Sequence, residues 1–332
     1  MPAEWEPHAR TWMEFPPANA TFADDLDRYR AAWVRVANAI VDFEPVTLIA
    51  DVGDGAAARA LADPRIEVVE QPIDDAWFRD SGPTFTVTDG HLTAVHWRFN
   101  AWGAAGFSEF ARERHVGGWA AGRAGVPPDD IAASPLTNEG GGIHVDGAGT
   151  VLLTDTVQLD PGRNPGWTRE QVEAEIHARL GTTRAIWLPR GLTRDYVHFG
   201  TRGHVDIVTC FVGPARVVAH VQPDRAHPDH AVSAEILGVL RSSVDARGHR
   251  LEVIELPAPT VLADEVGWVD YSYVNHYVCN GAVILCAFDD PRDEQAAEIL
   301  ARCYPDRRIV RVPARELFSR GGGIHCITQQ QP

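Results

Sequence analysis

Gly140-Gly141-Gly142-Ile143-His144 returns residue for residue as Gly321-Gly322-Gly323-Ile324-His325, and His144-Val145-Asp146 returns as His204-Val205-Asp206. With 29 glycines in the chain, a repeated triplet alone is modest support for a repeat. The elements around these motifs, however, recur in one order. Downstream of the His204 copy, Asp206 to Val221 reads as a hairpin turning at Gly213-Pro214. It is followed by an amphipathic stretch at Ala231 to Leu240 and an alternating strand, Leu251 to Leu256. Tyr271 to Phe288 predicts a hairpin turning at Asn280-Gly281, followed by a helix at Asp293 to Cys303 and a strand at Arg308 to Val312. Upstream, Thr84 to Val87 and Leu92 to Phe99 flank Asp89-Gly90 ahead of a helix at Glu109 to Ala121. His144 to Thr154 precedes a helix at Arg169 to Leu180 and the strand Ala185 to Leu188. The N-terminal part supplies a helix at Ala23 to Val41 and the strand Val46 to Ala50. The reading is an α/β fold of about five ββαβ units, the first incomplete, in one domain over residues 1–332.

Composition narrows the function. Apolar residues at 45% and charged residues at 23% are the balance of a globular domain. The N-terminus lacks a basic start followed by an apolar run, and no stretch is long enough to span a bilayer, so a cytoplasmic protein is expected. A net charge of −16 argues against nucleic acid or an anionic membrane as partner and suits a small cation. All 30 basic side chains are arginine, which removes Schiff-base, pyridoxal-phosphate and Walker-loop chemistry. The five cysteines form no CxxC pair or zinc spacing, so free thiols in a reducing compartment are predicted, with no metal and no cofactor.

In a radial array, equivalent positions of successive units converge on the axis. Asp80, Glu139 and His204 lie about 60 residues apart, and Asn275 and Cys326 continue the series. Cys326 follows the second glycine triplet, where backbone can approach a ligand closely; a nucleophile and a buried structural thiol both fit that context. Cys210, Cys279 and Cys286 sit in apolar strands and read as structural, and Cys303 follows a helical apolar pattern. His204 and Asp206, two apart on an extended segment, would share a face as proton carrier and cation ligand. Asp80, in Arg79-Asp80-Ser81-Gly82-Pro83, sits in a turn at a strand mouth, and Trp77 could offer a ring to a cation. Glu139 could bind a cation or orient His204, or be a solvated loop carboxylate. His144 and Asp146 read as hairpin residues.

These residues in this order resemble the agmatine deiminase family of the guanidino-modifying pentein superfamily. The matching stretches are MPAEWEPHARTW at 1–12, DDAWFRDSGPTF at 74–85, FNAWGA at 99–104 and NEGGGIHVDGAGT at 138–150. They continue with RNPGWT at 163–168, TRGHVD at 201–206, SYVNHYVCNGAV at 272–283 and GGGIHCITQQQP at 321–332. The departures are Gly323, where the family often has Asn, Ile207 after Asp206, and the wording of 74–78; they bear on the substrate tail. The resemblance implies a five-bladed α/β propeller around a central active-site channel. It also implies Cys326 as covalent nucleophile, His204 as general acid/base, Asp80 and Asp206 as guanidinium ligands, Glu139 as supporting carboxylate, and Trp77 and Gly323 in the substrate pocket.

The expected reaction is cofactor-free hydrolysis of a guanidinium through an amidino-cysteine intermediate, agmatine giving N-carbamoylputrescine and ammonia within polyamine biosynthesis. Arginine, a peptidyl arginine or another guanidino compound is the alternative substrate, and amidino transfer to an amine the alternative reaction. A metal-dependent hydrolase built on His204, Asp206, His325 and Glu139 and a non-catalytic binding module are the readings from other classes. A homodimer is a possible assembly.

Overall fold

The computed structural model describes residues 1–197 and 199–332 and contains five small sheets, one per unit. Four are alike: an antiparallel pair, a helix, and a third strand parallel to the second. The second unit, for example, pairs Thr84–Thr88 with His91–Arg98, runs through the helix Val116–Arg123 and returns as Ile131–Thr137. The third uses His144–Val145, Thr150–Thr154, the helix Arg169–Leu180 and Arg184–Leu188; the fourth uses Thr209–Gly213, Arg216–Val221, Asp229–Ser242 and Glu252–Pro257. The fifth uses Tyr277–Cys279, Ala282–Ala287, Arg292–Cys303 and Arg308–Pro313. Central strands such as Thr150–Thr154 are buried on both faces, which is why they read as unbroken runs instead of alternating. Helix Arg169–Leu180 matches the sequence expectation at both ends because its signals are local: Thr168 and Gln171 form a capping box, and Gly181 takes the left-handed conformation at φ 68°.

The first unit is where expectation and structure part. It is not incomplete: Gln329–Gln331, from the far end of the chain, pairs antiparallel with Arg10–Glu14 and supplies the missing strand. Arg10–Glu14 then runs parallel to Val46–Ala50 across the helix Leu26–Ile40, and Glu67–Glu70 adds a fourth strand. Each helix also packs on the outer strand of the preceding unit: Arg169–Leu180 on Ile131–Thr137, Asp229–Ser242 on Arg184–Leu188, Arg292–Cys303 on Glu252–Pro257, and Leu26–Ile40 on Arg308–Pro313. Val116 and Ala120 of the second unit join Ile49 and Ile73 of the first, so the ring closes.

Two further expectations are corrected. The helix at Glu109 to Ala121 is a short turn, Glu113–His115, leading into Val116–Arg123. Tyr271 to His276 is not strand. Tyr271 stacks on Phe288 with centroids 4.8 Å apart, and the Ser272 hydroxyl donates to the Ile207 carbonyl at 2.7 Å. Burial of this loop gave it a strand-like pattern without a ladder to join.

Candidate active site

Each unit junction delivers polar side chains to the axis. Asp80 lies in a single helical turn, Phe78–Ser81, which stops at Gly82 and Pro83. Phe78 points into the core with Trp12 and Phe85, while Asp80 points to the axis. One Asp80 oxygen accepts from the Gly141 amide at 3.0 Å and the other from the Trp102 indole at 2.8 Å. Trp102 reaches it from a run of left-handed residues, Ala101 to Ala104, with φ between 53° and 82°. Non-glycine residues pay roughly 1–2 kcal/mol each for that conformation, and such strain concentrates at functional sites.

His204 ends a loop organised by Asp195, whose carboxylate accepts from the backbone amides of Thr201 at 2.6 Å, Gly203 at 2.6 Å and His204 at 3.1 Å. His204 and Asp206 are not on an extended segment as expected, because residues 205–207 form a 3₁₀ turn. They still converge. An ideal Cβ on Gly141 would sit 2.5 Å from His204 Nδ1, 2.9 Å from an Asp80 oxygen and 3.1 Å from Asp206 Oδ2. Only a glycine lets these three groups share one point.

Cys326 opens onto the same volume. Its Sγ lies 3.5 Å from Asp206 Oδ2 and 3.2 Å from Asn275 Nδ2. A methyl on Gly322 would meet Cys326 Sγ at 2.9 Å and the Trp77 ring at 2.8 Å, which puts the indole beside the sulfur. Trp77 is fixed edge-on against Trp33, centroids 5.3 Å apart. Glu139 accepts from His204 Nε2 at 3.1 Å and from Arg163 Nε at 3.0 Å, all fully buried. Arg163 is itself tied to Asp160 at 3.0 Å and to the Thr201 carbonyl.

The electrostatics divide the carboxylates. Burial raises Asp80 to about 6; His204 pulls it down while Glu139 and Asp206 push it further up. Burial would likewise raise Glu139, but Arg163 and His204 bring it to about 2. Burial disfavours charge on His204, yet Asp80 and Glu139 outweigh it and lift the imidazole to about 9. Asp206 is held below its usual range by His325, against burial. Burial, with Asp206 and Asp80, pushes the Cys326 thiol well up, opposed by the Gly323 amide and Asn275. At neutral pH the site therefore holds anionic Asp80, Glu139 and Asp206, cationic His204, and a thiol. Two buried atoms of the site, His204 Nδ1 and Asp206 Oδ1, have no hydrogen-bond partner, and His204 Nδ1 borders this volume.

All seven predicted residues, Trp77, Asp80, Glu139, His204, Asp206, Gly323 and Cys326, come together here. Gly323 contributes its backbone amide to the sulfur. Asn275, read from unit spacing as a residue of the axis, joins them at the sulfur, and His325, named only in the metal-hydrolase reading, stands behind Asp206. Sequence reasoning missed Trp102, Arg163, Asp195 and Glu4 as parts of the site. Several lie in stretches that carry the family resemblance, but nothing local marks their direction. The set His204, Asp206, His325 and Glu139 has no common metal-ligating geometry among the described residues; Glu4, His144 and His325 do lie close enough for one. Both His325 nitrogens are already engaged by Asp206 and Glu4, however. His144 Nδ1 accepts from the Phe211 amide, so its Nε2 carries the proton and has no lone pair to give a metal.

A ring of five ββαβ units with a cysteine, a histidine and carboxylates on its axis is the pentein arrangement of guanidino-modifying enzymes. The chain matches the Porphyromonas-type peptidyl-arginine deiminase family over residues 1–332 and belongs to it. It is 59% identical to a Streptomyces coelicolor protein provisionally named an agmatine deiminase, covering 100% of this chain and 98% of that one. It is 41% identical to the agmatine deiminase of Stutzerimonas stutzeri, covering 100% and 95%. The solved agmatine deiminase of Enterococcus faecalis superposes with a TM-score of 0.93 at 31% identity, covering 100% of this chain and 95% of that one.

Proposed function

We propose that this protein hydrolyses agmatine to N-carbamoylputrescine and ammonia, with Cys326 as nucleophile. The observation that carries the reading is the convergence of a thiol, an imidazole and two carboxylates around the space above Gly141. Agmatine as the substrate is supported by the relatives at 59% and 41% identity that bear that name.

Asp80 and Asp206 face each other across the space a planar cation would fill, so charge-assisted hydrogen bonds to its N–H groups fix the guanidinium plane. A bound guanidinium also neutralises the two carboxylates that raise the thiol, so the substrate itself promotes the thiolate. As the cation binds, the Cys326 S–H proton passes to solvent, and the thiolate attacks the guanidinium carbon, forming a C–S bond. Protonated His204 gives its proton to one nitrogen, the C–N bond breaks and ammonia leaves. Neutral His204 then takes a proton from water, whose oxygen attacks the same carbon. Breaking the C–S bond yields the ureido product and restores the cysteine. Glu139 and Trp77 serve as the carboxylate that keeps His204 charged and the wall of the pocket. Asp80 sets the acid limb of kcat/KM near 6, since its protonation removes a guanidinium ligand.

The same proposal takes residues 1–332 as one catalytic domain acting in the cytoplasm, where the five free cysteines stay reduced. No helix among the described residues is long and apolar enough to cross a membrane. A homodimer is the expected assembly, checked by sedimentation velocity.

Ammonia release from agmatine, arginine and a C-terminal arginine peptide, beside Cys326→Ala, tests the reading. Release from agmatine alone, falling by roughly 10⁴-fold or more in the variant, is expected. Ammonia from arginine or the peptide instead would replace the substrate. A guanidinylated product in the presence of putrescine would make the enzyme a transferase.

A further inference from the structure

The N-terminal segment enters the ring beside the site. Glu4 is buried, and its Oε2 lies 2.9 Å from His325 Nε2. His325 Nδ1 in turn lies 2.8 Å from Asp206 Oδ2, the oxygen that also touches Cys326. Glu4 Oε1 accepts from the Val278 amide at 3.0 Å, so the carboxylate is fixed at both ends. The result is a carboxylate–imidazole–carboxylate line running from the far side of the ring into the catalytic space. The three atoms nearest the space above Gly141 belong to His204, Asp80 and Asp206, with Glu4 and His325 behind Asp206.

We propose that Glu4 is a positioning residue that acts through His325: it keeps the imidazole cationic and aimed, so that His325 clamps one oxygen of Asp206 and leaves the other for the guanidinium. The unpartnered Asp206 Oδ1 is the oxygen left over by that clamp. The need for it follows from crowding. Three carboxylates share the axis, and each makes ionising the others harder. Asp80, with the His204 imidazole no nearer than 3.8 Å, sits at about 6, whereas Asp206 stays below its ordinary range with His325 hydrogen-bonded at 2.8 Å. His325 on its own would be a poor cation, because burial and the nearby Arg79 guanidinium both oppose its charge; Glu4 and Asp206 reverse this.

The other titratable groups around His325 do not supply the charge. Burial lowers His144 to about 3 and His276 to about 4, so both are neutral. Burial pushes Cys210 and Tyr304 above their usual ranges, and they are neutral too. Arg79 carries a positive charge, 3.8 Å from Glu4, and donates to the His325 carbonyl. Glu4 is thus the anion that holds His325 on the side away from substrate.

This inference rests on the reading of Asp206 as a guanidinium ligand. Glu4→Gln preserves size and an acceptor for the Val278 amide while removing the charge. With agmatine, KM is expected to rise more than kcat falls, lowering kcat/KM by about tenfold at neutral pH. The acid limb set by Asp80 stays near 6, because Asp206 starts below its ordinary range, while alkaline loss begins earlier as His325 gives up its proton sooner. A general structural defect would lower the active fraction and leave the alkaline limb in place. Histidine ring NMR, with the His325 signal identified by its absence in His325→Asn, reads the imidazole without substrate and is expected to titrate at lower pH in Glu4→Gln. A folded Glu4→Gln protein with a wild-type alkaline limb and an unmoved His325 titration overturns the proposal. If that variant does not fold, His325→Asn, which keeps a neutral donor for Asp206, must raise KM for agmatine more than it lowers kcat or the proposal falls. Absence of ammonia from agmatine in the wild type would instead defeat the substrate reading, and the NMR titration would still decide the Glu4–His325 link.

Discussion

The two copies of Gly-Gly-Gly-Ile-His fold into different things. Residues 140–142 form a 3₁₀ turn that seats Gly141 beneath His204, Asp80 and Asp206, and His144 then opens a strand. In residues 321–325, Gly321 turns the chain at φ 102°, Gly322 lies against the Trp77 ring and the Cys326 sulfur, and His325 opens a 3₁₀ turn. The two histidines, with ring centroids 6.1 Å apart, take opposite charge states. His144 is held neutral by burial and accepts a backbone hydrogen bond from Phe211, while His325 is held cationic between two carboxylates. Five identical residues therefore set the close approach of backbone but not the chemistry of the side chain that follows. Which acid stands opposite each imidazole nitrogen decides that.

The sharpest way to break this comparison is to add one methyl to each triplet. Gly141→Ala would drive the methyl to 2.5 Å from His204 Nδ1 and displace three site groups together. A loss of roughly 10³-fold in kcat/KM is expected with the fold retained by circular dichroism. Gly322→Ala crowds the sulfur and Trp77 instead and should also slow alkylation of Cys326. Near-wild-type activity in Gly141→Ala would mean that the convergence above that glycine is not the site.

The next test removes the acid behind one histidine. His204 is lifted to about 9 by Asp80 and Glu139, so its proton is in place throughout the neutral range and lost as pH rises through that value. Glu139→Gln should lower it toward the ordinary value, moving the alkaline limb of the rate profile down by about one to two pH units and reducing kcat by roughly 10²-fold at pH 8. An unmoved limb would separate His204 from the proton transfer.

The smallest effect belongs to the neutral histidine. His144→Asn keeps an acceptor near the Phe211 amide, and activity should change by less than about threefold. Chemical denaturation should find a cost of about 1 kcal/mol from lost packing. A loss comparable to that of His325→Asn would erase the distinction between the two copies.

Much of this was legible without coordinates. The hairpin turns at Asp89-Gly90 and Asn280-Gly281, the helix between Thr168 and Gly181 and the strand Val46–Ala50 rest on signals within a few residues of themselves, and they stand where expected. Asp80, Glu139, His204, Asn275 and Cys326 were visible as polar residues recurring at unit spacing, and Asp206 as the carboxylate two residues beyond His204. Residues whose roles depend on reach across the ring were not. Trp102 sits in a loop whose pattern resembles packing, Arg163 looks like any loop arginine, and Glu4 lies in an N-terminal stretch with no periodicity. The strand Gln329–Gln331 was missed because three glutamines carry no strand pattern; its partner lies more than 300 residues away at Arg10–Glu14.

The sequence by itself determined the unit, its repetition and the residue types brought to the axis, because turn chemistry, capping and hydrophobic period act over short range. Only the tertiary structure decided that the chain's end completes its beginning. It also decided that Glu4 and His325 meet, and that three carboxylates and two histidines divide their protons as they do. Those outcomes depend on distances of about 3 Å between groups tens to hundreds of residues apart, and at that range burial and Coulomb interaction outweigh anything local sequence can specify.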